Sequence, residues 1–195
     1  MFPIMSKRYM LPLLCILAIT IASSIHANNA SKSNILSHNL EIELFLKEHR
    51  LKAVDHMLVP YENSEKVSFF INKSFQVLSV SSSNRKLDFK TTSNGDGQRL
   101  EITIPSDLRQ SESVILDIAY EGCLFEKPIS QEKEDVGETT GVIGEEGVYL
   151  SPACAWYPDI PGSLAVFKIA ITTPSGYEAV TQGTLVSKKS DTDKI

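Results

Sequence analysis

The sequence predicts an all-β protein, an antiparallel β-sandwich behind a cleavable signal peptide, and three observations carry that reading. Apolar residues alternate with polar ones at a two-residue period in one short run after another, at the roughly 8 to 12 residue spacing of sandwiches and barrels. Turn-forming clusters separate the runs. Asn94-Gly95-Asp96-Gly97 is the sharpest, since Asn-Gly and Asp-Gly supply the positive φ angles of hairpin turns. No window sustains helical periodicity. With 195 residues and 42% hydrophobic content the chain can bury one ordinary core.

The N-terminus reads as an export address. Lys7 and Arg8 precede Met10 to Ala22, apolar except for Thr20, and small residues suited to cleavage follow up to Ala27. Residues 1–27 are therefore expected to leave a mature protein that is secreted or periplasmic. The alternative is an uncleaved anchor, for which the run falls short of the ~20 residues a spanning helix needs. Cys15 sits inside that run behind the large Leu14, which argues against lipidation. A net charge of -5 with no long basic run excludes the clustered Lys and Arg that a nucleic-acid partner requires.

Cleavage leaves two cysteines, Cys123 and Cys154. In an oxidising compartment such a pair is expected to form a disulfide, worth about 3 to 4 kcal/mol in the chain-entropy account if unstrained. Two thiols alone do not make a structural zinc site, which usually takes four ligands.

Taken in order, residues 28–37 form a polar lead-in. Leu40, Ile42, Leu44 and Leu46 alternate with Asn39, Glu41, Glu43 and Phe45, the pattern of a half-buried strand. Leu51, Ala53 and, less cleanly, Met57 to Val59 make its partner, which Pro60 ends. Val67, Phe69 and Ile71 form the next strand and Phe75 to Val80 another. The Asn94 to Gly97 turn joins Leu87 to Phe89 with Leu100, Ile102 and Ile104, and Pro105 stops that strand. Val114, Leu116, Ile118 and Tyr120 give the cleanest inward face.

Residues 126–146 are acidic and punctuated by glycine, and read as a long exposed excursion. Glu132, Glu134, Asp135, Glu138, Glu145 and Glu146 could gather calcium there, against the plainer reading of a solvated loop without regular ligand spacing. Val148, Tyr149 and Leu150 then begin a short strand, and the prolines at 152, 158 and 161 forbid helix and remove ladder donors, so a rigid loop must follow. It carries the only tryptophan, Trp156, with Tyr157 and Asp159 beside it. Trp156 and Tyr157 are either anchors at an interface or a plug for the end of the sandwich. Phe167, Ile169 and Ile171 alternate with Lys168, Ala170 and Thr172 until Pro174-Ser175-Gly176 turns the chain, and residues 188–195 form a polar tail.

Little in the chain assembles into a reactive set, and no catalytic, cofactor-binding or metal residue is assigned. His38, His49 and His56 lie on or beside strands, outside any H-E-x-x-H spacing. His49 and His56 could meet across a hairpin around a metal, against the commoner reading of partly exposed strand histidines. There is no G-x-S-x-G elbow and no phosphate-cradling glycine loop. Glu121 is a lone carboxylate. Asn29-Ala30-Ser31 and Asn72-Lys73-Ser74 fit the N-glycosylation triplet.

Several runs carry a resemblance. They are His38-Asn39-Leu40-Glu41-Ile42-Glu43-Leu44 followed by Leu51 to Asp55, then Val77 to Val80 before Arg85-Lys86-Leu87. Most specific is Trp156-Tyr157-Pro158-Asp159-Ile160-Pro161 followed by Phe167 to Tyr177. In this order and spacing they resemble the N-terminal β domain of zinc aminopeptidases of the aminopeptidase N family. Ala179 to Gly183 is similar to that family's next strand and its glycine.

The resemblance covers residues 38–187 and implies a saddle-like sandwich that packs on a zinc-bearing domain and helps wall the substrate cleft. This sequence lacks H-E-x-x-H and the G-x-M-E-N strand that grips the peptide amine, so zinc is expected only in a downstream or separate domain. The loop has Ala155-Trp156-Tyr157-Pro158 where the commoner family form is Phe-Pro-Cys-x-Asp-Glu-Pro, so Cys154 is not equated with that cysteine. Two functions follow. One is a non-catalytic N-terminal domain of a secreted zinc aminopeptidase-like protein, truncated or split. The other is a stand-alone secreted β-sandwich that binds protein or glycan through Trp156 and Tyr157.

Overall fold

A computed structural model of the protein describes residues 35–60, 64–95, 97–125 and 139–189. The expected leader, most of the lead-in, the first glycosylation triplet and the end of the polar tail lie outside these residues, as do Glu132, Glu134, Asp135 and Glu138. Among the described residues, no helix is long and apolar enough to cross a membrane.

Among the described residues, eleven strands form three sheets. β1 (Ile35–Phe45) and β2 (Arg50–Pro60) are joined by a single 3-10 turn, Leu46–Glu48, which ends on His49 in the left-handed conformation. β8 (Ser113–Cys123) pairs with β2, and β4 (Phe75–Ser82) pairs with β8 through a register shift between Val77 and Ser79. The two-residue β5 (Arg85–Lys86) ends this sheet on one side. On the other side β11 (Leu164–Thr172) runs parallel to β1, so the expected all-antiparallel arrangement holds everywhere except at that edge. β3 (Lys66–Asn72), β7 (Gly97–Thr103) and β6 (Phe89–Asn94) make a second sheet in the order β3-β7-β6.

The two-residue period explains the layers. Along β1, β2 and β8 alternate residues face inward, and Leu40, Leu51, Met57, Leu116, Ile118 and Tyr120 are fully buried. Phe69, Ile71, Leu100 and Ile102 from the smaller sheet join the same core. The predicted hairpin is present: Asn94 pairs with Gly97, and Gly95 takes φ 61 at the turn, a conformation that glycine adopts without steric cost.

The structure corrects the reading of residues 126–146 in part. Gly141–Gly144 and Gly147–Leu150 form a hairpin, β9 and β10, and Ile143 is fully buried. Residues 126–138 lie outside the described set. Residues 177–189 contain no strand where Ala179 to Gly183 resembles one, and Val180, Leu185 and Val186 stand almost fully exposed.

Candidate functional site

The site is the proline loop between β10 and β11, and its shape follows from its sequence. Pro152 opens a single 3-10 turn, Pro152–Cys154, so the expectation that these prolines exclude helix fails for one turn, where the missing N–H is not needed. Ala155 then takes the left-handed conformation, φ 49 and ψ 47, and reverses the chain. The loop docks on β3 through main-chain bonds that prolines cannot replace. Phe70 N–H donates to Asp159 O at 2.7 Å, Asp159 N–H to Phe70 O at 3.0 Å, and Asn72 N–H to Ala155 O at 2.8 Å. The Asn72 side-chain amide adds a bond to Cys154 O at 2.8 Å, and its Oδ1 accepts from Ser74 N–H and Oγ. The second glycosylation triplet is therefore engaged in holding the turn and the loop.

The aromatic residues turn inward. Trp156 and Tyr157 are each 8% exposed, packed edge to face with ring centroids 4.8 Å apart. Tyr157 also meets the edge or face of Phe167 and His38, at 5.3 and 5.4 Å, and His38 stacks on Phe167 at 4.9 Å. Behind them His38 Nδ1 donates to Asp55 Oδ2 at 2.7 Å, with both side chains buried. In this geometry both rings pack inward. Burial pushes the Tyr157 phenol above its usual pKa, helped by the carboxylates of Asp159 and then Asp55.

On the solvent side the loop and β3 line an open cleft of about 300 Å³. Phe70 and Tyr157 supply aromatic wall, Pro152, Ala153, Ala155 and Pro161 supply aliphatic wall, and Asp159 supplies the charge. Asp159 Oδ1 accepts from Ile160 N–H at 2.8 Å. Of the residues expected here, the structure brings Tyr157 and Asp159 to the cleft and leaves Trp156 in the core. Phe70 and Asn72 were not anticipated. The signal was present: Phe70 has the opposite parity to Phe69 and Ile71, and an aromatic residue on the outward face of a strand calls for a cover.

The expected disulfide is not formed, and Cys123 and Cys154 are separate thiols. Alternation along β8 places Tyr120 and Gly122 inward and Cys123 outward, exposed, with its Sγ 3.6 Å from Glu48 O. Cys154 is buried, donating to Ser151 O at 3.1 Å and packed against Gly141, where an added Cβ would lie 2.8 Å from its sulfur.

The two histidines have separate partners. His49 caps the β1–β2 turn with Nδ1 2.5 Å from Ile143 O, while His56 lies inside β2 with Nδ1 2.7 Å from Asp117 Oδ1. Glu121 pairs with Arg50 at 3.2 Å. Among the described residues no three His, Cys, Asp or Glu side chains gather as metal ligands.

No protein-family profile matches this chain, and no curated protein sequence matches it. Solved structures do. A mutant M1 zinc metallopeptidase from Deinococcus radiodurans, bound to a Tyr-Ser-Ala substrate, superposes with a TM-score of 0.62 at 18% identity, over 82% of this chain and 37% of that one. Another structure of the M1 zinc metallopeptidase from Deinococcus radiodurans gives 0.56 at 16% identity, over 82% and 36%. The chain thus has the fold of part of these proteins and spans little more than a third of their length.

Proposed function

We propose that this chain is a non-catalytic, N-terminal-type β domain of a secreted or periplasmic zinc aminopeptidase-like protein, and that it packs on a zinc-bearing domain in a downstream or separate polypeptide. The observation that supports this most is the fold likeness to one third of an M1 zinc metallopeptidase, at a TM-score of 0.62. The 195-residue sequence contains neither H-E-x-x-H nor G-x-M-E-N. A hydrolase must activate its nucleophile, and this sequence offers no assembled set of groups that would do so. In this role the sandwich contributes a wall, and zinc, which would activate water in the partner, belongs to that partner alone.

The test is reconstitution. The purified chain, supplied with zinc, should not release amino acids from peptide nitroanilides, and it should co-purify with an H-E-x-x-H domain encoded beside it and raise that domain's kcat/KM. Zinc-dependent hydrolysis by the chain alone would overturn the reading, as would failure to associate with that domain.

A further inference from the structure

The cleft between Phe70 and the proline loop has a property that the fold likeness does not account for. Its walls are aromatic and aliphatic, yet it holds one carboxylate, Asp159, and among the described residues no lysine or arginine forms an ion pair with that group. Asp159 is partly exposed and its Oδ1 accepts one hydrogen bond, from Ile160 N–H, so a cation can approach it from the solvent side. The half-buried ring of Phe70 favours the same sign of charge through its face. Pro152, Ala153 and Pro161 offer apolar contact for a methylene stem but none for a second polar head.

We propose that this cleft receives the basic side chain, lysine or arginine, of a protein segment that docks across the 151–163 loop. Volume supports a single side chain, because about 300 Å³ lies at the lower limit of ligand pockets. Affinity supports a protein source over a free amine. One partly exposed ion pair and one cation–π contact sustain only millimolar binding of an isolated cation, whereas the same contacts act as an anchor once a larger surface supplies the rest. Rigidity supports it too. Three prolines and the backbone pairing of Phe70 with Asp159 hold the cleft open before any partner arrives, which limits the ordering cost of docking. The inference rests on the reading above in one respect, that the chain has a protein partner.

The experiment titrates the purified chain with two blocked tripeptides, acetyl-Gly-Arg-Gly-amide and its citrulline counterpart, which has the same shape without the charge. Binding is followed through the methyl NMR signals of Ala153 and Ala155. The arginine peptide should move both signals with a millimolar Kd, and the citrulline peptide should bind at least about tenfold more weakly. In Asp159→Asn, which keeps an oxygen to accept from Ile160 N–H, that preference should disappear. Equal binding of the two peptides to the native protein, or an arginine preference that survives Asp159→Asn, would overturn the proposal. The comparison on the native protein needs no variant, so a folding defect in Asp159→Asn does not blunt it. An arginine-selective cleft on a chain that fails to associate with a zinc domain would sink the proposed function and leave the cleft standing.

Discussion

His38 Nδ1 lies 2.7 Å from Asp55 Oδ2 in the middle of the core, with neither side chain exposed. The pair joins β1 to β2, and through the stacking of His38 on Phe167 it reaches β11 as well. Removing one partner leaves the other buried and uncompensated, which costs about 3 to 5 kcal/mol. His38→Ala and Asp55→Ala should each lose about that much in urea unfolding, while the double variant His38→Ala with Asp55→Ala should lose clearly less than the sum. Additive losses would show that the two groups are not coupled.

That pair also shows how far the sequence could be read. The alternation through Leu51, Ala53, Met57 and Val59 looks broken because Asp55 occupies an inward position, and His38 continues the inward set of Leu40 and Ile42. Parity alone places both in the core. It cannot say that they meet, because strand pairing depends on contacts distant in sequence. The same limit hid the parallel pairing of β1 with β11 and the docking of the proline loop on Phe70. The rigidity of the loop was legible, since proline acts locally. The disulfide expectation failed on information already present: extending the inward face of β8 by parity from Tyr120 turns Cys123 to solvent. The β9–β10 hairpin was obscured by flanking acidic and glycine residues, with Ile143 as its one fully buried side chain.

The thiols should therefore differ in reactivity. Iodoacetamide should label Cys123 in the native protein within minutes and Cys154 at least about a hundredfold more slowly, since the buried thiol reacts only through opening of the structure. Mass spectrometry of peptides with and without prior unfolding reads both rates. Linked peptides under non-reducing conditions would restore the disulfide.

Gly122 marks a close approach of two backbones. A Cβ there would sit 2.4 Å from the Ser74 carbonyl oxygen and 2.7 Å from Phe75 Cα, neither of which can swing aside. Gly122→Ala should destabilise by about 3 kcal/mol through overpacking. At Gly97 the obstacle is the tip of the Phe70 ring, a side-chain atom that a change of χ1 can carry aside. Gly97→Ala should cost at least about 1 kcal/mol less than Gly122→Ala in thermal or urea unfolding. Equal costs would mean that the Phe70 ring is held as firmly as the backbone.

Trp156 separates a plug from an anchor. With only 8% of it exposed, Trp156→Ala removes a core side chain and should cost about 3 to 5 kcal/mol in equilibrium unfolding. A variant that keeps native stability yet loses a partner would return the residue to the interface.

Alkaline pH should expose the buried phenols. Tyr120 is fully buried, its hydroxyl makes no hydrogen bond among the described residues, and burial, then the Asp55 carboxylate and Tyr157, hold its pKa well above the ordinary value of 10.0. Tyr157 is raised in the same direction, chiefly by burial and then by Asp159. A folded pKa above the unfolded one means that the folded state favours the protonated phenol. The stabilisation is then fully present below pH 10 and is lost as pH rises toward the folded value. Each pH unit above 10 should remove up to about 1.4 kcal/mol per such tyrosine. Urea midpoints measured at increasing pH, alongside tyrosinate absorbance, should show stability falling above that point and falling less steeply in Tyr120→Phe. A slope unchanged by Tyr120→Phe would show that the phenol ionises without opening the core.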